Sequence, residues 1–100
     1  MRLRIVLAAE NEFTEAAERY DSESPGGGER LIAATEAVFS AVENHPERYP
    51  RYEASTLEQV YRRVRVGKSP YYIVYRIESD EIVIVAYAHA SRAPGYWEGR

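Results

Sequence analysis

The sequence predicts an α+β fold: an N-terminal strand, an α-helical hairpin and a three-stranded antiparallel meander, in the order β-α-α-β-β-β. Two observations carry this. Two stretches in the first half space their apolar residues at helical period and are divided by a Pro-Gly-Gly-Gly run. Three runs rich in β-branched and aromatic residues follow in the second half, separated only by short turn signals. A chain of 100 residues is the size of one domain, so residues 1–100 are read as a single unit.

Arg2–Leu7 alternates, with Leu3, Ile5 and Leu7 on one side, and reads as a strand. Asn11 to Tyr20 is helical, within bounds of roughly 10–22. Ala9, Phe13, Ala16, Ala17 and Tyr20 fall on one face, and Glu10, Glu12, Glu15 and Glu18 take the other. Ser22 to Gly28 is a helix–helix corner. Its glycines are no phosphate cradle, since no Lys-Ser/Thr pair follows and a helix precedes them. The second helix runs from about Glu29 (or residue 28) to Asn44, with Leu31, Thr35, Val38, Phe39 and Val42 as its buried stripe and Ile32 beside it. His45-Pro46 stops it. Arg48 to Tyr52 is extended and Pro-limited, and Leu57 to Val60 leads into the meander.

The meander strands are Val60–Val66, Tyr71–Glu78 and Glu81–His89, with turns at Gly67-Lys68-Ser69-Pro70 and Ser79-Asp80. The hairpin must bury its apolar stripe against one face of this sheet, through Phe13, Ala16, Tyr20, Leu31, Val38, Phe39 and Val42. The opposite face or its rim is left to Arg and Tyr side chains. In the first meander strand Arg63 and Arg65 share a side with Tyr61, and Arg62, Val64 and Val66 share the other.

Charge is uneven. Residues 1–50 hold five Arg against ten Asp and Glu, a net −5, and residues 51–100 hold eight Lys and Arg against six, a net +2. An overall charge of −3 makes a poor non-specific nucleic-acid binder, so any such role is local or mediated by a partner. Without cysteine the chain has no disulfide or thiolate chemistry, which fits a cytoplasmic protein. Met1–Ala9 lacks the apolar core of a secretory leader, and no apolar run reaches membrane-span length. Two distant histidines make no metal site, and no cofactor motif is present.

The side chains that could meet a partner are Arg62, Arg63, Arg65, Lys68, Arg76, His89, Arg92, Tyr96 and Trp97. Each has a plainer explanation. The arginines of the first meander strand could pair across the sheet with Glu78, Asp80 or Glu81. His89 could be a hydrogen-bonded structural residue holding the chain end, and Trp97 could lock the tail across the sheet. Tyr71, Tyr72 and Tyr75 suit core or rim packing.

The element order, the corner His45-Pro46-Glu47-Arg48-Tyr49-Pro50, the run Arg62 to Arg76 with Pro70-Tyr71-Tyr72-Ile73-Val74-Tyr75, and the ending His89, Arg92, Pro94, Tyr96, Trp97 together resemble the RelE/ParE superfamily. These are toxins of type II toxin–antitoxin modules, also called plasmid stabilisation proteins. The resemblance covers nearly the whole chain. It implies a cognate antitoxin that wraps the toxin. The apolar surface left beside the hairpin and the sheet edge, uncovered in the free chain, is expected to make it self-associate. The resemblance also implies one of two targets. RelE-like members cut mRNA on the ribosome without a metal, and Arg63, Arg65 and Arg92 match their cationic positions. ParE-like members inhibit DNA gyrase by binding. Where RelE-like chains carry an Arg after the Tyr that opens the next strand, this chain has Tyr72. The long hairpin, the His-Pro-Glu-Arg-Tyr-Pro corner and the Pro-x-Tyr-Trp ending look more like ParE, for which no catalytic residue is expected. A non-toxic remnant that binds only its antitoxin is the third possibility.

Overall fold

The structure, a computed structural model, describes residues 1–52, 55 and 58–100. Its elements are β1 (Arg2–Ile5), α1 (Leu7–Glu23), α2 (Gly27–Asn44), β2 (Arg62–Arg65), β3 (Tyr71–Glu78) and β4 (Glu81–His89). This is the order the sequence predicts. The last two strands match their expected bounds, and Leu57 of the expected lead-in lies outside the described residues.

Three boundaries differ. β1 ends at Ile5, and Leu7, expected on a strand, opens α1 with 70% of its surface exposed. The Val6 N–H still bonds Ile84 O, while Val6 O accepts the Glu10 N–H, so the chain passes from ladder to helix within one residue. Ala8 and Ala9, strong helix formers, favour that early start. β2 is shorter than Val60–Val66, because the Tyr61 carbonyl is taken by the Tyr52 N–H (2.7 Å) and by the Ser55 hydroxyl (3.0 Å). α2 begins at Gly27, ahead of Glu29, because Asp21 of α1 accepts the Gly28 N–H (2.7 Å) and so satisfies a first-turn donor.

The sheet order is β1-β4-β3-β2. β2, β3 and β4 form the antiparallel meander, with Arg63 opposite Val74 and Tyr71 opposite His89, and β1 joins β4 in parallel, Arg2 opposite Glu81. A register shift between Val74 and Tyr75 marks a bulge against β4. β4 is buried from Ile82 to Ala88, so both faces of the sheet are covered.

The helical hairpin covers the inner face. Ala9, Ala16, Leu31 and Val42 meet Val66, Ile73, Tyr75, Ile82, Ile84 and Tyr87, and Phe13, Tyr20, Val38 and Phe39 pack around them, as the helical spacing predicts. Phe13 stacks on Tyr87 at 4.9 Å and stands edge-on to Phe39 at 6.3 Å. Thr35, fully buried, bonds Leu31 O and the Tyr87 hydroxyl, each at 2.8 Å. The outer face buries a second cluster of Val74, Val83, Val85, Ala86 and Ala88 under Tyr61 and Trp97.

At the hairpin corner the helices approach too closely for a side chain. A Cβ on Gly28 would lie 2.7 Å from Ala17 O and 2.6 Å from Asp21 Oδ2, and one on Gly27 would lie 2.6 Å from Tyr20 O. Alanine normally stabilises a helix over glycine, but here the clash is with main chain that moves only if the helices part. Gly28→Ala is therefore expected to destabilise by about 1–3 kcal/mol, read as a lower urea midpoint. A raised midpoint would mean that the corner relaxes freely.

Candidate functional site

The strand period sorts the cationic residues to opposite faces. Val64 of β2, and Val66 just after it, point inward to the helices. Arg62 lies with them, its guanidinium donating to Tyr49 O (2.6 Å) and reaching Glu47 O (3.5 Å), so it pins the segment after α2. Arg63 points outward. Its guanidinium sits between the rings of Tyr52 and Tyr72, 4.5 and 4.6 Å from their centroids. Arg65 bends back over the following turn and donates to Ser69 O (2.9 Å) and Lys68 O (3.0 Å).

After β4 the chain turns through His89–Arg92, held by Ala90 N–H to Pro70 O (2.7 Å) and Arg92 N–H to His89 O (2.9 Å). Gly95, in the left-handed region at φ +89°, reverses the tail back over the sheet. Trp97 thereby lands on the outer face with 1% of its surface exposed. Its ring stacks on Tyr52 (5.3 Å, 26°) and meets Tyr61 and Tyr96 edge-on at 5.8 and 5.4 Å. Arg92 lies 3.9 Å over Tyr96. Trp97 is the tail lock and not an exposed anchor, which corrects its place among the partner-contact residues.

Arg100 completes the tail. Its guanidinium pairs with Glu12 of α1 (2.9 Å) and donates to Val85 O (3.1 Å), and Arg76 donates to Arg100 O (2.9 Å). Glu12 also accepts the Tyr87 N–H at 3.1 Å. β1 pairs β4 only as far as Ile84. Beyond it these two side chains take over the polar groups of the β4 edge, the carboxylate standing in for a neighbouring C=O and the guanidinium for an N–H.

The structure thus gathers Arg63, His89, Arg92, Tyr96 and Trp97 into one outer-face patch, with Tyr52 and Tyr72. It separates Arg62, Arg65, Lys68 and Arg76 from that patch. Lys68 lines a groove at the hairpin corner, and Arg76 pairs with Glu78 (2.9 Å). The alternative, pairing of Arg62, Arg63 or Arg65 with Glu78, Asp80 or Glu81, is not formed among the described residues, for Glu78 and Glu81 turn to Arg4 and Glu78 also to Arg76.

His89 Nδ1 accepts the Ser91 N–H at 3.0 Å, which places the proton of its neutral ring on Nε2. Burial, and then the Glu12 carboxylate, push the Tyr96 hydroxyl well above the ordinary phenol range, although the two make no well-formed hydrogen bond. Among the described residues no group of three or more His, Asp or Glu stands where it could hold a metal ion, and no helix is long and apolar enough to cross a membrane.

Tyr52, Glu12 and Arg100 escape a reading of the sequence. Glu12 sits among evenly spaced glutamates on a helix face that looks solvated, and its partner is 88 residues away. Only Tyr52 carried a signal, as an aromatic in the Pro-limited stretch before the meander.

The chain thus presents a sheet with a helical hairpin on one face and an aromatic, cationic tail on the other. The family described as ParE toxin of type II toxin-antitoxin system, parDE, matches residues 3–94, and the chain belongs to that family. No curated protein matches it.

Proposed function

We propose that this toxin inhibits DNA gyrase by binding through its outer face, and that the antitoxin of its module silences it. The observation that carries this reading is the state of the three arginines a ribonuclease would need. Arg63 is clamped between two rings and Arg65 is committed to the carbonyls of its own turn, which leaves Arg92 alone at the tail. A cleavage site needs several donors aimed at the developing phosphate charge. A binding surface needs rigid aromatic and arginine anchors instead.

The antitoxin segment fits the groove at the hairpin corner, an opening of about 470 Å³ lined by Tyr20, Leu31, Ala34, Val66 and Lys68. It accepts an apolar peptide with an acidic end facing Lys68.

Gyrase supercoiling and ribosome-bound mRNA cleavage, assayed side by side on the purified chain, test the reading. Supercoiling is expected to stop while mRNA stays intact. Arg63→Ala and Arg92→Ala should each weaken inhibition by about three- to thirtyfold. Cleaved mRNA with untouched gyrase, and loss of cleavage by roughly 10²–10³ in Arg65→Ala, would overturn it. Inactivity in both assays would indicate a chain that only binds its antitoxin.

A further inference from the structure

On the solvent side of the hairpin, the seam between α1 and α2 holds an opening of about 340 Å³, lined by Phe13, Thr14, Ala17, Glu18, Asp21 and Ile32. At Gly28 the two helices approach too closely for a side chain. One helical turn on, Ile32 stands 37% exposed. A single exposed isoleucine is ordinary on a protein surface. This one borders an open seam whose floor is the half-buried Phe13 and Ala17. Carboxylates surround it. Glu18 and Asp21 line the opening, Glu10 continues their row along α1, and Glu29 and Glu36 flank Ile32 on α2 at helical spacing. All five are exposed. Among the described residues none of them makes a salt bridge, and positions 53, 54, 56 and 57 hold no Lys or Arg. Nor do any three acidic groups among the described residues stand where they could hold a metal ion.

We propose that this seam docks a cationic amphipathic helix of a protein partner. One long apolar side chain of that helix seats against Phe13, Ala17 and Ile32, and Lys or Arg at its neighbouring positions face the carboxylates. The apolar floor gives the anchor its burial, and the acidic rim selects its charge. Charge decides the occupant. A second copy of this chain on the same seam would set five carboxylates against five, and nucleic acid or an anionic membrane surface would meet the same repulsion. The corner groove proposed for the antitoxin opens elsewhere, between Tyr20, Leu31 and Lys68, and calls for an acidic segment. The seam therefore serves a different partner. Nor does it depend on the gyrase reading, whose surface lies on the far side of the sheet.

Fluorescence anisotropy of labelled helical peptides on the full chain tests the site. The probes are an amphipathic Lys-Leu peptide, a Glu-Leu peptide with the same apolar face, and a Lys-Ala peptide with the same charge. The Lys-Leu peptide is expected to bind, the Lys-Ala peptide about tenfold more weakly, and the Glu-Leu peptide not at all. Glu18→Gln combined with Glu36→Gln should weaken Lys-Leu binding by about two- to tenfold. Glu47→Gln combined with Glu98→Gln removes the same charge at exposed positions away from the seam and should leave it unchanged. Ile32→Glu is the sharper variant. At an exposed position it should keep the melting curve, yet it spoils the anchor's seat and should weaken binding by about tenfold. Attraction by net charge alone would strengthen it instead, because the variant is more acidic. Equal binding of the Lys-Ala peptide, an Ile32→Glu protein that binds as tightly as wild type, equal losses in the two double variants, or no binding of the Lys-Leu peptide up to about 1 mM would each overturn the proposal.

Discussion

Trp97→Ala is expected to lower the unfolding free energy by about 3–5 kcal/mol. A small domain holds only about 5–15 kcal/mol in total, so this one change should bring the protein near its folding limit. The size of the effect follows from position. The indole is the largest fully buried side chain, and it fills the space between the tail and a sheet face made of Val74, Val83, Val85, Ala86 and Ala88. Its removal opens a cavity under Tyr52, Tyr61 and Tyr96, whose rings all lean on it. Trp97→Phe keeps a ring in place and should cost about 1–2 kcal/mol. Urea unfolding followed by circular dichroism measures both, since the single tryptophan cannot serve as its own reporter. A Trp97→Ala midpoint equal to wild type would mean that the tail does not pack on the sheet.

Alkaline pH should destabilise the fold with unusual steepness. Tyr75 and Tyr87 are both buried, and burial pushes each hydroxyl from about 10 up to about 12. Arg62 partly opposes the shift at Tyr75, and the Thr35 hydrogen bond opposes it at Tyr87. The folded state holds these protons more tightly than the unfolded chain, so stability is complete below pH 10. It falls as the unfolded tyrosines ionise first, by about 1.4 kcal/mol per pH unit for each group. Across the window from 10 to 12 the two together remove on the order of 5 kcal/mol. Tyr96, shifted the same way, adds to the trend. Urea midpoints measured through this window should drop steeply, and Tyr87→Phe should remove about half of the slope owed to this pair. A flat profile to pH 12 would mean that these hydroxyls ionise as easily folded as unfolded.

The elements were legible where local chemistry and tertiary packing agree. The β3 and β4 runs are bounded by turn residues and match the structure at both ends. The buried stripe of α2 shows in the spacing of Leu31, Thr35, Val38 and Val42, because a helix docked on a sheet must present one face. Legibility failed where a distant partner decides. Leu7 continues the alternation of Leu3 and Ile5, yet Val6 gives its carbonyl to Glu10 and starts a helix. The faces of β2 were readable from its period of two, but the fate of each arginine was not. What separates Arg63 from Arg65 is Tyr52, brought alongside by a loop, and the turn carbonyls at Lys68 and Ser69. The aromatic ending announced something large at Tyr96 and Trp97. It took the reversal at Gly95 to show that Trp97 faces inward.

Elsewhere in the sheet main-chain groups answer main-chain groups, and such ladders are little affected by dissolved ions. Past Ile84 the β4 edge is closed instead by a carboxylate and a guanidinium, both partly open to solvent. Open surface charges lose their attraction beyond a Debye length of about 10 Å at 0.1 M salt, but a pair in contact at 2.9 Å with 23% and 17% of its side chains exposed is screened much less. This margin of the sheet is expected to respond to salt more than the ladders beside it and to hold at ordinary ionic strength; were it to open, it would bare a strand template of the kind that recruits other chains.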